Sequence, residues 1–431
     1  MIHNINKFRA SKFAIFIISI MFLLCNNSAK SQTAELIYVD SGAFNMGYNY
    51  PSNGEWWYPV ITPVHRVFVS SFYIEKFEIF KSQWDEVYNW AINNAYIFDN
   101  TGNSKDTNFP VYNINWYDAV KWCNARSEKE GLTAVYYTDS LKNSVYRSSK
   151  IDLKNNFVKW NEDGYRLPTE AEWEKAARGK LDGNYYPWPS SGGSYTEHLD
   201  SSKANFDGSN DPWENDMVPS APVGYYNGSQ VPSGVDMANG YGLYDMAGNI
   251  IEWTWDWFDS DWYNNIQSVS PDTKGPEDTA SGAKTLRGGS WHSGEKFGLL
   301  CAFRLSEHHP DYTGAACGFR CVRRDKNSSG FNNSFLKNQN SVLLNIYPNP
   351  FSSLVNISYY CPDEIKVCLK IYNINGQLIK TIYDYKQTKN IFYLTWDGKD
   401  NSGNELSNGI YFIKIESKNH IPITGKIHYH K

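Results

Sequence analysis

The chain carries no excess of positive charge: Lys plus Arg number 41 and Asp plus Glu 46, a net charge of −5. Phosphate-driven nucleic-acid binding needs clustered cations, so no nucleic-acid partner is expected. Beyond Leu24 there is no apolar run long enough to cross a bilayer, so the mature chain is read without a transmembrane segment. Internal repeats are also missing. With 41% hydrophobic and 20% charged residues, the composition excludes a disordered or collagen-like chain. Cysteine is sparse, seven in 431 residues, and one of these is Cys25. What the chain has in quantity is aromatic surface, 16 Trp, 31 Tyr and 22 Phe, beside 31 Gly and 18 Pro. That mixture predicts a loop-rich body held by aromatic packing rather than by long helices.

Residues 1–31 read as a secretory signal peptide. Lys7, Arg9 and Lys12 precede the apolar run Phe13 to Leu24, and Ala29 and Ser31 suit a cut before Gln32. Bulky Leu24 before Cys25 argues against a lipid anchor. The mature chain then holds six cysteines in an oxidising compartment, Cys123, Cys301, Cys317, Cys321, Cys361 and Cys368, an even number that favours disulfides. A body over residues 34–325 is followed by an Asn-, Ser- and Lys-rich linker, 326–341, and a strand-rich unit over 342–431. In that last unit, alternating stretches such as Ile410 to Ile415 are separated by turns such as Asn375-Gly376 and Asp397-Gly398. About seven short strands make a small β-sandwich the expectation.

In the body three helices are predicted. One opens at Ser82 and carries Trp84, Val87, Tyr88 and Ala91. A second carries Ala119, Val120, Trp122 and Cys123 and ends near Gly131. The third follows Pro168, with Thr169 as N-cap, Glu172 closing a capping box and Gly179 as C-cap; Trp173, Ala176 and Ala177 form its buried stripe. Trp253, Trp255 and Trp257 lie two apart, which on a strand puts them on one face.

Six segments now point one way. Tyr38 to Gly47, Phe109-Pro110-Val111 with Asn115 to Cys123, Gly164 to Glu174, Gly242 to Trp253, Arg287 to Trp291, and Gly318 to Cys321 resemble, in order, the motifs of the formylglycine-generating enzyme (sulfatase-modifying factor) family. The resemblance covers almost 290 residues and implies an α+β fold, low in regular structure and related to C-type lectin-like modules. It also implies a structural Ca²⁺ on Asp245, Gly248, Ile250 and Glu252, two carboxylates and two carbonyls around a Gly-Asn turn. A weaker second site would use Asn205 and Phe206 with a ligand near Asn215, Asp216 or Met217.

Family oxidases hold Cu(I) on two cysteines shortly after the Gly-Gly-Ser block, because thiolates suit that soft ion. Here no cysteine occurs between Ser290 and Cys301, Lys296 falls about where the second copper cysteine belongs, and copper is not expected. Ser290, His292 and Glu295 remain pocket candidates; His292, Glu295, Glu307, His308 and His309 could supply a non-haem metal site, with solvated side chains as the commoner outcome. Two readings follow. One is a binding or structural module for a peptide, protein or glycan; the other is an oxidoreductase with altered chemistry on a peptide or protein. The resemblance further implies a Cys123–Cys321 disulfide. The family partner of Cys301 falls on Ala177, which leaves Cys301–Cys317 as the alternative. Cys361 and Cys368, seven apart across an expected hairpin, should face opposite sides of their sheet and stay unbonded.

The C-terminal unit, through Tyr347-Pro348-Asn349-Pro350, Lys370 to Lys380 and Trp396 to Gly403, resembles the type A sorting domain of type IX secretion. That implies the type IX machinery as a partner, with export across the outer membrane and release or attachment at the cell surface.

Overall fold

A computed structural model describes residues 34–48, 59–181, 183–189, 201–279, 281–294, 296–305, 308–325, 344–347, 349–352, 354–361, 365–387, 390–417 and 422–431. The expected signal peptide, the linker, Glu295 and Glu307 lie outside the described residues.

The body is assembled from short pieces. Strand β1 (Leu36–Val39) pairs antiparallel with β4 (Phe72–Glu75), and β4 pairs in turn with β9 (Val322–Arg324), which also holds the two-residue β5 (Tyr165–Arg166). The beginning and the end of the body therefore close on the same strand. A hairpin of β2 (Gly42–Met46) and β3 (His65–Val69) stands beside this sheet. A third sheet has β6 (Ile251–Trp257) at its centre, antiparallel to β7 (Lys284–Arg287) and parallel to β8 (Cys317–Gly318).

Helix α1 spans Lys81–Ala91, one residue earlier than its sequence suggests, with Phe80 as N-cap and no side-chain cap. Helix α2 spans Trp116–Lys129 and is capped by Asn115, whose side chain accepts the Asp118 N–H at 2.8 Å. Helix α3 spans Glu170–Arg178; both bonds of the Thr169–Glu172 capping box are made, and Gly179 takes the left-handed C-cap. The expected stripe on α3 is corrected in one respect. All nine of its residues are buried, charged ones included, because the helix is covered on every side.

Aromatic packing does replace long helices. Trp84 of α1 and Trp122 of α2 stack with ring centroids 5.9 Å apart, and Phe319 sets its edge against both. Trp255 packs on Trp116, Tyr136 and Trp160.

After the body come seven strands in two sheets. β10 (Leu344–Tyr347), β11 (Val355–Cys361) and β14 (Asn390–Trp396) make one; β12 (Ile365–Asn373), β13 (Leu378–Gln387), β15 (Gly409–Ser417) and β16 (Ile423–Tyr429) make the other, in the order β13-β12-β15-β16. Val355 and Ile357 of the first sheet share an apolar cluster with Leu369, Ile371, Ile413 and Ile427 of the second. The hairpin expected between Cys361 and Cys368 is not formed, since β11 and β12 belong to different sheets. Alternation within a strand says nothing about which strand it pairs with, and that is where the expectation failed.

Candidate functional site

β6 organises the centre of the body. Alternate residues of a strand face opposite ways. Trp253 and Trp255 enter the cluster built by α1 and α2. The intervening Glu252, Thr254 and Asp256 are polar, at most 2% exposed, and bond on the other side. Asp256 Oδ2 accepts the Glu170 N–H at 2.7 Å, at the N-terminus of α3 where a carboxylate suits the helix dipole. Thr254 donates to the Thr285 carbonyl.

The acidic residues of α3 meet arginines from distant segments. Glu170 accepts from Arg304 Nε at 2.6 Å and from Arg287 at 3.2 Å. Glu174 accepts from Arg287 at 2.6 Å, from Arg178 at 2.7 Å and from the Gly47 N–H at 2.8 Å. Glu172 takes both arms of the Arg166 guanidinium at 2.6 Å. Arg287 and Arg304 are at most 1% exposed, so these ion pairs are desolvated; Arg304 grips Glu170 with two nitrogens, whereas Arg287 bridges Glu170 and Glu174. From sequence, Glu172 has a role only in the capping box at the helix terminus. Nothing local signals that the partners of Glu170 lie 117 and 134 residues away.

The Gly318 to Cys321 motif works residue by residue. Phe319 locks the two tryptophans, Arg320 engages Glu252 through Nε and Nη2 at 2.7–2.9 Å, and Cys321 faces Cys123. The two sulfurs lie 3.3 Å apart as thiols, adjacent but longer than the roughly 2.05 Å of a bond. The Cys301–Cys317 alternative is not brought together. Cys301 packs with α3 in one apolar cluster, Cys317 packs with β6 in another, and both are thiols.

Around the expected calcium turn, Gly248 approaches the Asn205 carbonyl so closely that a Cβ would stand 2.1 Å from it; with φ at +83°, only glycine fits. Asp245 turns its carboxylate inward to accept the Gly224 N–H at 2.6 Å. A third carboxylate, missed in the sequence, completes the turn: Glu78, fully buried, accepts the Asn249 side-chain amide at 2.9 Å and the Ile250 N–H at 3.2 Å. Burial, then repulsion from Asp245 and Glu252, pushes the Glu78 carboxyl well up, and burial pushes Asp245 up to about 6. Three carboxylates thus lie in the field of one guanidinium, Arg320, which bonds directly to Glu252. Glu252 is already occupied by Arg320 and by the Trp173 N–H at 2.7 Å. Among the described residues no three His, Cys, Asp or Glu side chains form a metal-holding group. Of the two carboxylates expected to hold Ca²⁺, Asp245 is thus engaged by the Gly224 N–H and Glu252 by Arg320. At the weaker site, the Asn205 amide is spent on the Pro219 carbonyl at 2.7 Å, and Phe206 packs in an apolar cluster.

Ser290 is 6% exposed and its hydroxyl accepts the His292 N–H at 3.2 Å. The His292 ring is exposed and lies against Trp291, so it does not pair with Ser290 as a base. His308 stacks on Tyr312 at 3.6 Å. Burial pushes the Cys301 thiol up to about 12, the reverse of what a metal-binding thiolate requires. Lys284, also missed in the sequence, is fully buried; its Nζ donates to the Trp255 carbonyl and sits 3.7 Å from the Trp257 ring centre and 4.2 Å from that of Trp116.

These features define an α+β module of small sheets and short helices, tied by aromatic stacks and a buried Arg–Glu network. The chain belongs to the sulfatase-modifying factor family: the sulfatase-modifying factor enzyme 1-like domain matches residues 22–325. A FlgD Ig-like domain matches residues 352–420. Among similar proteins, the chaperone protein LppX of Paenibacillus barcinonensis is 32% identical, covering 54% of this chain and 75% of its own. The formylglycine-generating enzyme of Thermomonospora curvata is 29% identical, covering 67% and 92%. The serine/threonine-protein kinase pkn1 of Chlamydia caviae is 29% identical over 67% of this chain, which spans only 38% of that kinase. Among solved structures, Treponema denticola variable protein 1 aligns over 69% of this chain and 97% of its own, at 26% identity and a TM-score of 0.49.

Proposed function

We propose that this protein is an exported binding module on the sulfatase-modifying factor fold and does not perform the copper-dependent oxidation of cysteine to formylglycine. One observation carries the reading: the segment from Ser290 to Cys301 has no cysteine pair, and its single thiol, Cys301, is buried and pushed up to about 12. Without two accessible thiolates the chemistry has no ligand set for Cu(I). The names of the relatives, a chaperone, a kinase and formylglycine-generating enzymes, are compatible with one fold serving several roles. The ligand class is a peptide, protein or glycan taken by the aromatic-rich body. A structural Ca²⁺ on Asp245, Gly248 and Ile250, with Glu252 behind them, is part of the proposal.

Residues 342–431 are proposed as a β-sandwich sorting domain read by the type IX secretion machinery, which would place the mature protein outside the cell or on its surface. Among the described residues no helix is long and apolar enough to cross a membrane. The deciding experiment incubates the purified protein with a sulfatase-motif cysteine peptide, copper and oxygen and looks for the aldehyde by mass spectrometry. No aldehyde is expected; aldehyde that depends on this protein would overturn the binding reading in favour of an oxidoreductase with altered chemistry.

A further inference from the structure

The resemblance implies a second calcium on Asn205 and Phe206 with a ligand near Asp216, and the residues found there do not fit one. Ca²⁺ takes roughly six to eight oxygen ligands. The Asn205 carbonyl is taken by the Asn249 N–H at 2.9 Å, and its side-chain amide by the Pro219 carbonyl. The carboxylates of the following turn are engaged as well. Asp211 accepts the Trp213 N–H and the Tyr226 hydroxyl, each at 2.9 Å. Glu214 accepts the Gly208 N–H at 2.8 Å and the Ser209 hydroxyl at 3.0 Å. Asp216 remains, and it is ion-paired with the ammonium of Lys105, 111 residues earlier.

That ammonium is seated as a bound cation would be. Its Nζ donates to the Ser220 carbonyl at 3.3 Å as well as to Asp216. It lies 4.6 Å from the Trp213 ring centre and 4.9 Å from that of Phe109. The two rings meet edge to face with centroids 5.3 Å apart and form two walls of the seat. Phe109 follows Lys105 in one loop, whereas Trp213, Asp216 and Ser220 come from the later segment, which is tied to that loop by the Val223 N–H on the Asn108 carbonyl at 3.0 Å. Aromatic faces attract an ammonium through the ring quadrupole, while a hard dication needs oxygens. Two oxygen-bearing partners and two rings select an ammonium over Ca²⁺.

We propose that Lys105 is the built-in cation of this segment: its ammonium, held by Asp216, the Ser220 carbonyl, Phe109 and Trp213, takes the place of the second calcium and clamps the two loops together. An ion pair with Lys105 21% and Asp216 45% exposed contributes little by charge alone. The two rings and the carbonyl make the seat specific. Because its cation is covalently attached, this face of the body stays closed at calcium concentrations that would empty a metal site.

The test melts the full chain in chelator as wild type, Lys105→Ala, Asp216→Asn and the double variant. Each single variant should lower the melting temperature by about 2–4 °C. The double variant should lose no more than the larger single loss, because both changes remove one clamp. Two additives then identify the cation. n-Propylammonium should recover at least half of the Lys105→Ala loss and leave the wild type unchanged, whereas calcium should add no more to the variant than to the wild type. Calorimetric titration with calcium should count the same number of ions in the wild type and in Asp216→Asn. Unchanged melting of the single variants, additive losses in the double variant, recovery by calcium in place of the amine, or one calcium fewer in Asp216→Asn would each overturn the proposal. The Ser290 turn and Asp245 take no part in this seat, so failure here leaves the Proposed function standing, and the aldehyde assay leaves this proposal standing.

Discussion

Glu172 shows what one buried carboxylate contributes. Burial by itself would raise its pKa, but the Arg166 guanidinium, bonded to both oxygens, outweighs that and holds it at about 2. A folded value below the unfolded one means that the stabilisation is complete above about pH 4.5 and is lost as pH falls towards 2. At about 1.4 kcal/mol per tenfold the contribution is on the order of 3 kcal/mol. Glu172→Gln should therefore flatten the acid limb of a stability–pH profile from urea unfolding. At pH 7 it should cost roughly 3–5 kcal/mol, since Arg166 is left buried and unpaired. An acid limb unchanged in the variant would contradict this assignment. Asp245 carries the calcium prediction. With Ca²⁺ at about a hundredfold over its dissociation constant, the native state gains about 2.7 kcal/mol, so chelator should lower the melting temperature. Asp245→Asn should remove that sensitivity, and a wild type that melts identically in calcium and chelator refutes the site.

At the scale of an element, α3 is the part most readable from sequence. Pro168, Thr169, Glu172 and Gly179 are local signals, and a helix terminus is decided by a few neighbouring hydrogen bonds. Thr169→Ala should cost about 1 kcal/mol. Gly179→Ala should cost more, roughly 1–3 kcal/mol, because φ is +54° there and a Cβ would meet the Gly240 backbone nitrogen at 2.7 Å. Denaturant titration ranks the two; a harmless Gly179→Ala would mean that α3 ends differently. What sequence could not show is that Glu170 and Glu174 point into the molecule. An acidic residue in the first helical turn looks the same whether its partner is water or Arg304.

For the molecule as a whole, the body and the C-terminal strands have separate apolar clusters, which predicts separable folding. Deleting residues 342–431 should leave a body with native far-ultraviolet dichroism and a cooperative melt, retained in the periplasm. Normal levels of the truncated protein outside the cell would defeat the sorting assignment. Non-reducing peptide mapping of the purified, unreduced protein should find Cys123 joined to Cys321, closing a separation of 198 residues worth on the order of 4–5 kcal/mol in the chain-entropy model. Cys123 linked to any other cysteine would break the correspondence with the family.

Order along the chain was decided by sequence alone: three helices, the caps of α3, the aromatic character of the core, and the succession of motifs that marks the family. These depend on neighbours within a few residues or on residue identity. Tertiary structure alone decided the pairings. It brought Glu78 under the Asn249–Ile250 turn, matched Arg287 and Arg304 to α3, placed Lys284 among tryptophans, and sent β11 and β12 to different sheets. A side chain's type fixes what it can bond with, but only the closed chain determines which of many equivalent partners stands within about 3 Å of it.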